Sequence, residues 1–228
     1  MQEYSTDKFI NIHTHQDKHA ENEIALSNIF AQQYSSFPIK EDSYYSVGIH
    51  PWHLDKLDSK IAIEEIRDAV KNSQVIAIGE CGLDRAIDTS LDYQTEIFVE
   101  QLKIAEENNK PVVIHCVRAY PEVISIRNKY KFKVPWIMHG FTGPEQVAKQ
   151  LIEKDCYLAF GKFLFYRESK APVLFPHLPD DHIFLECDDE NIPIEQVYNR
   201  ASELKNISIE QLKNITLENF RKVFKWKE

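Results

Sequence analysis

A single α/β domain built as a (β/α)8 TIM-type barrel is the fold class that this 228-residue sequence predicts, and three observations predict it. Short β-branched and aromatic runs alternate with longer segments of helical period, the pattern of repeated βα units on a parallel sheet. The runs number eight, the strand count of that barrel. Metal-ligand residue types crowd the ends of the runs and are almost absent from their starts, as in a barrel whose chemistry is carried by the loops after its strands.

The first strand, FINI at 9–12, runs on into His13 and His15. Strict alternation would put Asn11, His13 and His15 on one face and Ile10 and Ile12 on the other, with the two imidazoles about 6.6 Å apart by rise, close enough to share an ion. QDKHAENE, at 16–23, is too short for a helix and its loops, so the connection after strand 1 is shortened and the barrel distorted. IALSNIF at 24–30 is the second strand, and AQQYSSFPIKEDS after it reads as loop. YYSVGI, VIAIG, PVVIH, VPWIMH, CYLAFG and HIFLEC supply the remaining six. Amphipathic helices are expected over 59–73, 90–109, 121–130 and 144–155, two opened by Ser and two by Pro. The tail from 192 forms two or three closing helices, with Ser208 and Thr216 as N-caps. No linker or composition break divides the chain, so residues 1–228 are expected to form one domain.

With 43% hydrophobic and 28% charged residues and no low-complexity tract, the chain belongs to the ordinary globular class. No apolar run approaches the roughly 20 residues of a membrane helix, and the start is neither basic nor followed by an apolar core, so the expected location is cytoplasmic, away from membranes. The net charge of −9 argues against a protein that coats nucleic acid non-specifically. Four cysteines form no C-x-x-C pair, and Cys81, Cys116 and Cys187 neighbour candidate ligands but alternate to the opposite face. Buried structural thiols are expected there.

Six of the eight strand tips carry a ligand type: His13 and His15, His50, Glu80, His115, His139 and Asp188. All six glycines lie at or just beyond strand tips, where the backbone must turn or approach a ligand closely. Carboxylates and imidazoles converging on one mouth need cations. Two divalent ions would leave the assembled site net positive, suited to an anionic substrate, and ions bridged by Glu80 would clamp the attacking and leaving oxygens of a displacement. The mixed nitrogen and oxygen shell suits Zn, Mn, Fe or Ni, with Mg where carboxylate and water dominate.

NIHTHQD, VGIHP, IGECGLD, PVVIHC, MHGFTG, LECDD and the closing ENFRKVF together resemble the TatD family of metal-dependent deoxyribonucleases, in the amidohydrolase superfamily, essentially end to end. The resemblance implies one metal ion held by His13, His15, Glu80 and Asp188 and a second by Glu80, His115 and His139. It implies hydrolysis of DNA phosphodiesters, often from the 3′ end, with single strands or 3′ ends as substrate and no obligate protein partner. Asp188 would position or deprotonate the attacking water, making it and Glu80 the catalytic pair. His50, Arg85, Arg118 and Lys162, near the strand tips, are the candidate substrate-binding residues, with Trp52, Tyr120, Phe141 and Phe163 available to stack bases. The chain departs from the family at Arg85, where an aromatic is usual, and at Val117, where the family carries arginine and this chain has Arg118 one residue later. Those departures bear on substrate class. Two other readings compete: an amidohydrolase-type enzyme acting on a small amide, lactone or phosphoester, and a binding protein with an idle site. Retention of every ligand position disfavours the second, since unused clustered carboxylates cost stability.

Overall fold

The structure is a computed structural model that describes residues 7–16 and 19–226. Eight parallel strands follow one another around the sheet in chain order: β1 Phe9–Thr14, β2 Glu23–Phe30, β3 Tyr44–Gly48, β4 Val75–Asp84, β5 Val112–Val117, β6 Trp136–Met138, β7 Cys156–Phe160 and β8 Ile183–Leu185. The helices are α1 Ser59–Ala69, α2 Leu91–Glu107, α3 Tyr120–Tyr130, α4 Glu145–Ile152, the single-turn α5 Ala171–Leu174, α6 Ile194–Lys205 and α7 Ile209–Phe224. No helix lies between β1 and β2 among the described residues, and the loop after β2 contains a 3-10 turn, Ala31–Ser36.

Helix starts follow from local chemistry. Asp58 accepts from the Lys60 and Ile61 amides, Ser90 accepts from Tyr93, and Ser208 forms a reciprocal capping box with Gln211. Thr216 is not an N-cap. It lies buried within α7, where its hydroxyl bonds back to the Leu212 carbonyl and meets Tyr198.

The apolar residues sort into two layers. Ile10, Ile12, Leu26, Ala77, Val113, Ile137, Ala159 and Phe184 fill the barrel axis, plugged at the strand-start end by Leu217, Phe220 and Val223 of α7. The larger cluster lies between strands and outer helices and includes Cys81, Cys156 and Cys187.

The barrel is closed except for one seam. Between β8 and β1 there is a single bridge, Thr14 to Asp188, at the strand-end side. Deeper down, side chains satisfy the backbone groups that a ladder would have used. The Tyr198 hydroxyl donates to the Ile10 carbonyl and accepts from its amide, while Asn219 donates to the Asp180 and Ile183 carbonyls.

Two bulges aim the site. Pairing slips by one residue between Asn11 and Thr14 on β1, and again between Ile78 and Cys81 on β4. This corrects the simple alternation expected for β1. Ile10 and Ile12 face the axis, Asn11 faces the seam with bonds to Glu23 and the Cys187 amide, and the extra residue returns His13 to the mouth.

Candidate active site

At the mouth, Glu80 comes from the β4 bulge, fixed by its amide donating to Asn28 Oδ1 (2.5 Å). Its two carboxylate oxygens face different groups. Oε2 lies 3.4 Å from His13 Nε2 and 3.3 Å from His15 Nε2, and both nitrogens lie 3.7 Å from Asp188 Oδ1. Oε1 lies 2.8 Å from His139 Nε2, 2.9 Å from His115 Nδ1 and 3.1 Å from His50 Nε2.

These residues fit a cation. Ligands bonded at about 2.0–2.2 Å in a tetrahedron are about 3.3–3.6 Å apart, close to the separations among His13, His15, Glu80 and Asp188. His13 Nε2 is buried and has no hydrogen-bond partner, a lone pair or proton aimed into the centre. Three overlapping clusters could each hold an ion: His13, His15 and Glu80; His13, His139 and Asp188; and His50, Glu80 and His115.

Without a cation, protons balance the charge. Burial favours the neutral form of Glu80, but the imidazoles of His139, His115 and His13 hold its carboxyl well below the usual range. Burial likewise lowers His139 and His115, yet the carboxylates outweigh it: Glu80 and Glu186 raise His139, and Asp84 and Glu80 raise His115. His50 goes the other way because its desolvation exceeds the help from Glu80. Its Nδ1 accepts from the Trp52 amide (3.2 Å), so neutral His50 carries its hydrogen on Nε2 and donates to Glu80.

Two further buried carboxylates stand behind the histidines. Asp84 Oδ2 lies 3.1 Å from His115 Nε2, and Glu186 Oε1 lies 3.5 Å from His139 Nδ1 while accepting from the Gly140 amide (2.7 Å). Neither was singled out from the sequence, although the signal was present: Asp84 follows Glu80 by four residues, and Glu186 precedes Asp188 by two, spacings that share a strand face.

Of the expected ligands, the structure brings together His13, His15, Glu80, His115, His139 and Asp188. All of these but the fully buried His13 line a cavity of about 370 Å³, together with His50, Lys162, Phe30, Trp52, His53 and Phe163. Arg85 and Arg118 do not line it; Arg85 pairs with Glu122 outside, and Arg118 is exposed in a left-handed turn. Lys162 is held by Asp188, Asp189 and Glu190 at 3.4, 2.9 and 3.2 Å. Of the proposed stacking rings, Tyr120 and Phe141 pack against each other and Phe141 is buried. A larger hollow of about 970 Å³, walled by Glu23, Lys40, Tyr44 and Trp226, lies at the strand-start end and contains none of the ligand clusters. All four thiols are free, and burial pushes those of Cys116, Cys156 and Cys187 up to about 12.

Fold and site together define a metal-dependent hydrolase on a (β/α)8 barrel. The model of the TatD-related DNases matches residues 28–225, and the chain belongs to that family. It is 31% identical over 199 residues to the metal-dependent hydrolase YabD of Bacillus subtilis, an alignment covering 80% of this chain and 77% of YabD. A Cronobacter sakazakii protein named 3′-5′ ssDNA/RNA exonuclease TatD is 32% identical over 164 residues, 70% of this chain and 59% of that protein. The crystal structure of the TatD homologue YjjV from Escherichia coli superposes with a TM-score of 0.87 at 22% identity, covering 97% of this chain and all of YjjV, and shows the same fold. No described helix is long and apolar enough to cross a membrane.

Proposed function

We propose that this chain hydrolyses phosphodiester bonds of DNA, in single strands or at 3′ ends, using two divalent ions. The observation that carries this is the division of Glu80, whose Oε2 faces His13 and His15 while Oε1 faces His115 and His139. His13, His15, Glu80 and Asp188 would hold one ion, and Glu80, His115 and His139 the other. Bound there, divalent ions would polarise the phosphoryl group and make water acidic enough to attack near neutral pH. Asp188 is the proton acceptor: burial raises its carboxyl, but His139, His13 and Lys162 outweigh this and keep it ionised. His50 restrains Glu80 through Nε2–H and, with Lys162, meets substrate at the mouth. Arg85 and Arg118 would act farther out, on the flanking strand. The name of the Cronobacter relative supports a nucleic-acid substrate.

One observation favours the small-phosphoester alternative: Arg85 and Lys162 are already paired with carboxylates, leaving few uncommitted cations for a long polyanion. A single comparison separates the two. Chelator-stripped protein titrated with Mn²⁺ should take up two equivalents, then degrade 3′-end single-stranded DNA faster than duplex DNA or small phosphodiesters. Asp188→Asn should keep most metal affinity and lose about 10²–10⁴-fold in turnover. Metal uptake near zero with turnover intact would end the two-ion mechanism, and turnover confined to small esters would install the alternative.

A further inference from the structure

Beside the site stands a hydrogen-bonded carboxylate, Asp84, which belongs to none of the three ligand clusters. It is buried at 1% exposure. Its backbone is clamped by Gln94 of α2, whose Oε1 accepts from the Asp84 amide (2.7 Å) and whose Nε2 donates to the Asp84 carbonyl (2.9 Å). Carboxylate Oδ1 accepts from the Ala86 amide (2.7 Å), leaving Oδ2 to face the centre. That oxygen has two partners. The Trp52 indole donates to it at 2.6 Å, and His115 Nε2 lies 3.1 Å away.

An ionised carboxylate only accepts, so His115 Nε2 must carry hydrogen. In the neutral imidazole the lone pair is then on Nδ1, which lies 2.9 Å from Glu80 Oε1. A lone pair facing a carboxylate oxygen at that distance requires a cation or a second proton between them. Trp52 is 54% exposed at the rim, yet its indole N–H is committed inward.

We propose that Asp84 is a positioning residue for the metal centre: its carboxylate fixes Nδ1 of His115 as the nitrogen facing Glu80, and the Trp52 indole, donating to the same oxygen, anchors that carboxylate from the rim. The proposal rests on the two-ion reading above. Residues that orient a ligating imidazole from behind typically contribute 10–100-fold in metal affinity. A rim ring is thereby tied to a ligand through two hydrogen bonds.

Calorimetric titration of chelator-stripped protein with Mn²⁺, alongside phosphodiesterase kinetics and thermal melting, tests this on wild type, D84N and W52F. In D84N the first equivalent should bind as in wild type and the second 10–100-fold more weakly. Its kcat should fall while KM stays within about twofold, because the flanking substrate contacts are untouched. W52F keeps a ring but no N–H, and should weaken the second ion several-fold without changing the melting temperature. A purely structural Asp84 would instead lower the melting temperature and leave both affinities alone, and that result overturns the proposal. If D84N does not fold, wild-type affinity for both ions in W52F overturns it. Fewer than two equivalents in wild type would defeat the two-ion mechanism and this inference together, whereas two in wild type with an unaltered D84N defeats only the inference.

Discussion

Glu80 is ringed by His13, His15, His50, His115 and His139, and among the described residues no lysine or arginine pairs with it. Its negative charge is therefore balanced by whatever the imidazoles hold, protons in one state and bound metal in the other. The raised His139 and His115 mean that protons are retained into the range where free imidazole has lost them. Ions need the lone pairs those protons occupy, so binding must release protons and strengthen as pH rises through the histidine range. Calorimetry in two buffers of different ionisation enthalpy should show release of at least one proton per protein near neutral pH, with metal affinity higher at pH 8 than at pH 6. Identical apparent enthalpies in both buffers and a pH-independent affinity would contradict this picture of the centre.

The elements that place these residues are regular strands, and the two bulges beside the site explain what the sequence did and did not reveal. All eight strands and the main helices coincide with the periodic runs, and the ligand residues stand at the tips where the barrel rule puts them. The face of Asn11 was misjudged because alternation contains no information about bulges; which residue is extra is decided by pairing with β2. Asp84 and Glu186 went unnoticed for a different reason. Their spacing from Glu80 and Asp188 marks them as sharing a strand face, but which histidine each meets is decided by the neighbouring strand, as β4 and β5 place Asp84 against His115. Just beyond the second bulge, glycine lets β4 lie close against β5. Gly82 sits at φ +151°, and a Cβ there would lie 2.0 Å from the His115 carbonyl oxygen, a backbone atom that cannot move aside cheaply. Gly82→Ala should therefore cost about 3–5 kcal/mol in denaturant unfolding, at the high end for single substitutions, and should loosen His115 enough to weaken metal uptake. A variant within about 1 kcal/mol of wild type would show that β4 and β5 can separate without loss.

To hold the proposed DNA substrate, a chain of net charge −9 would have to concentrate its attraction at one mouth. The structure makes that mouth narrower in charge than the sequence suggested. Lys162 is enclosed by Asp188, Asp189 and Glu190, and Arg85 is occupied by Glu122, so of the three basic residues expected near substrate only Arg118 has no ion pair among the described residues. Attraction must then come mainly from bound cations, with exposed Trp52 and half-buried Phe163 supplying rings on which bases can stack at about 1–3 kcal/mol each. Stacking is insensitive to salt, whereas each phosphate of a single strand neutralised by a fixed charge adds about 0.7 to the slope of log affinity against log salt. For the proposed DNA substrate, KM measured from about 50 to 200 mM salt at saturating metal should accordingly give a slope corresponding to about two or three phosphates, far below the 6–10 of an extended binding surface. Arg118→Ala should flatten it by about 0.7 and raise KM more than it lowers kcat, while Arg85→Ala, whose charge is already spent on Glu122, should change the slope by less. A steep slope in wild type, or a larger loss from Arg85 than from Arg118, would mean that DNA is held by surface outside the mouth.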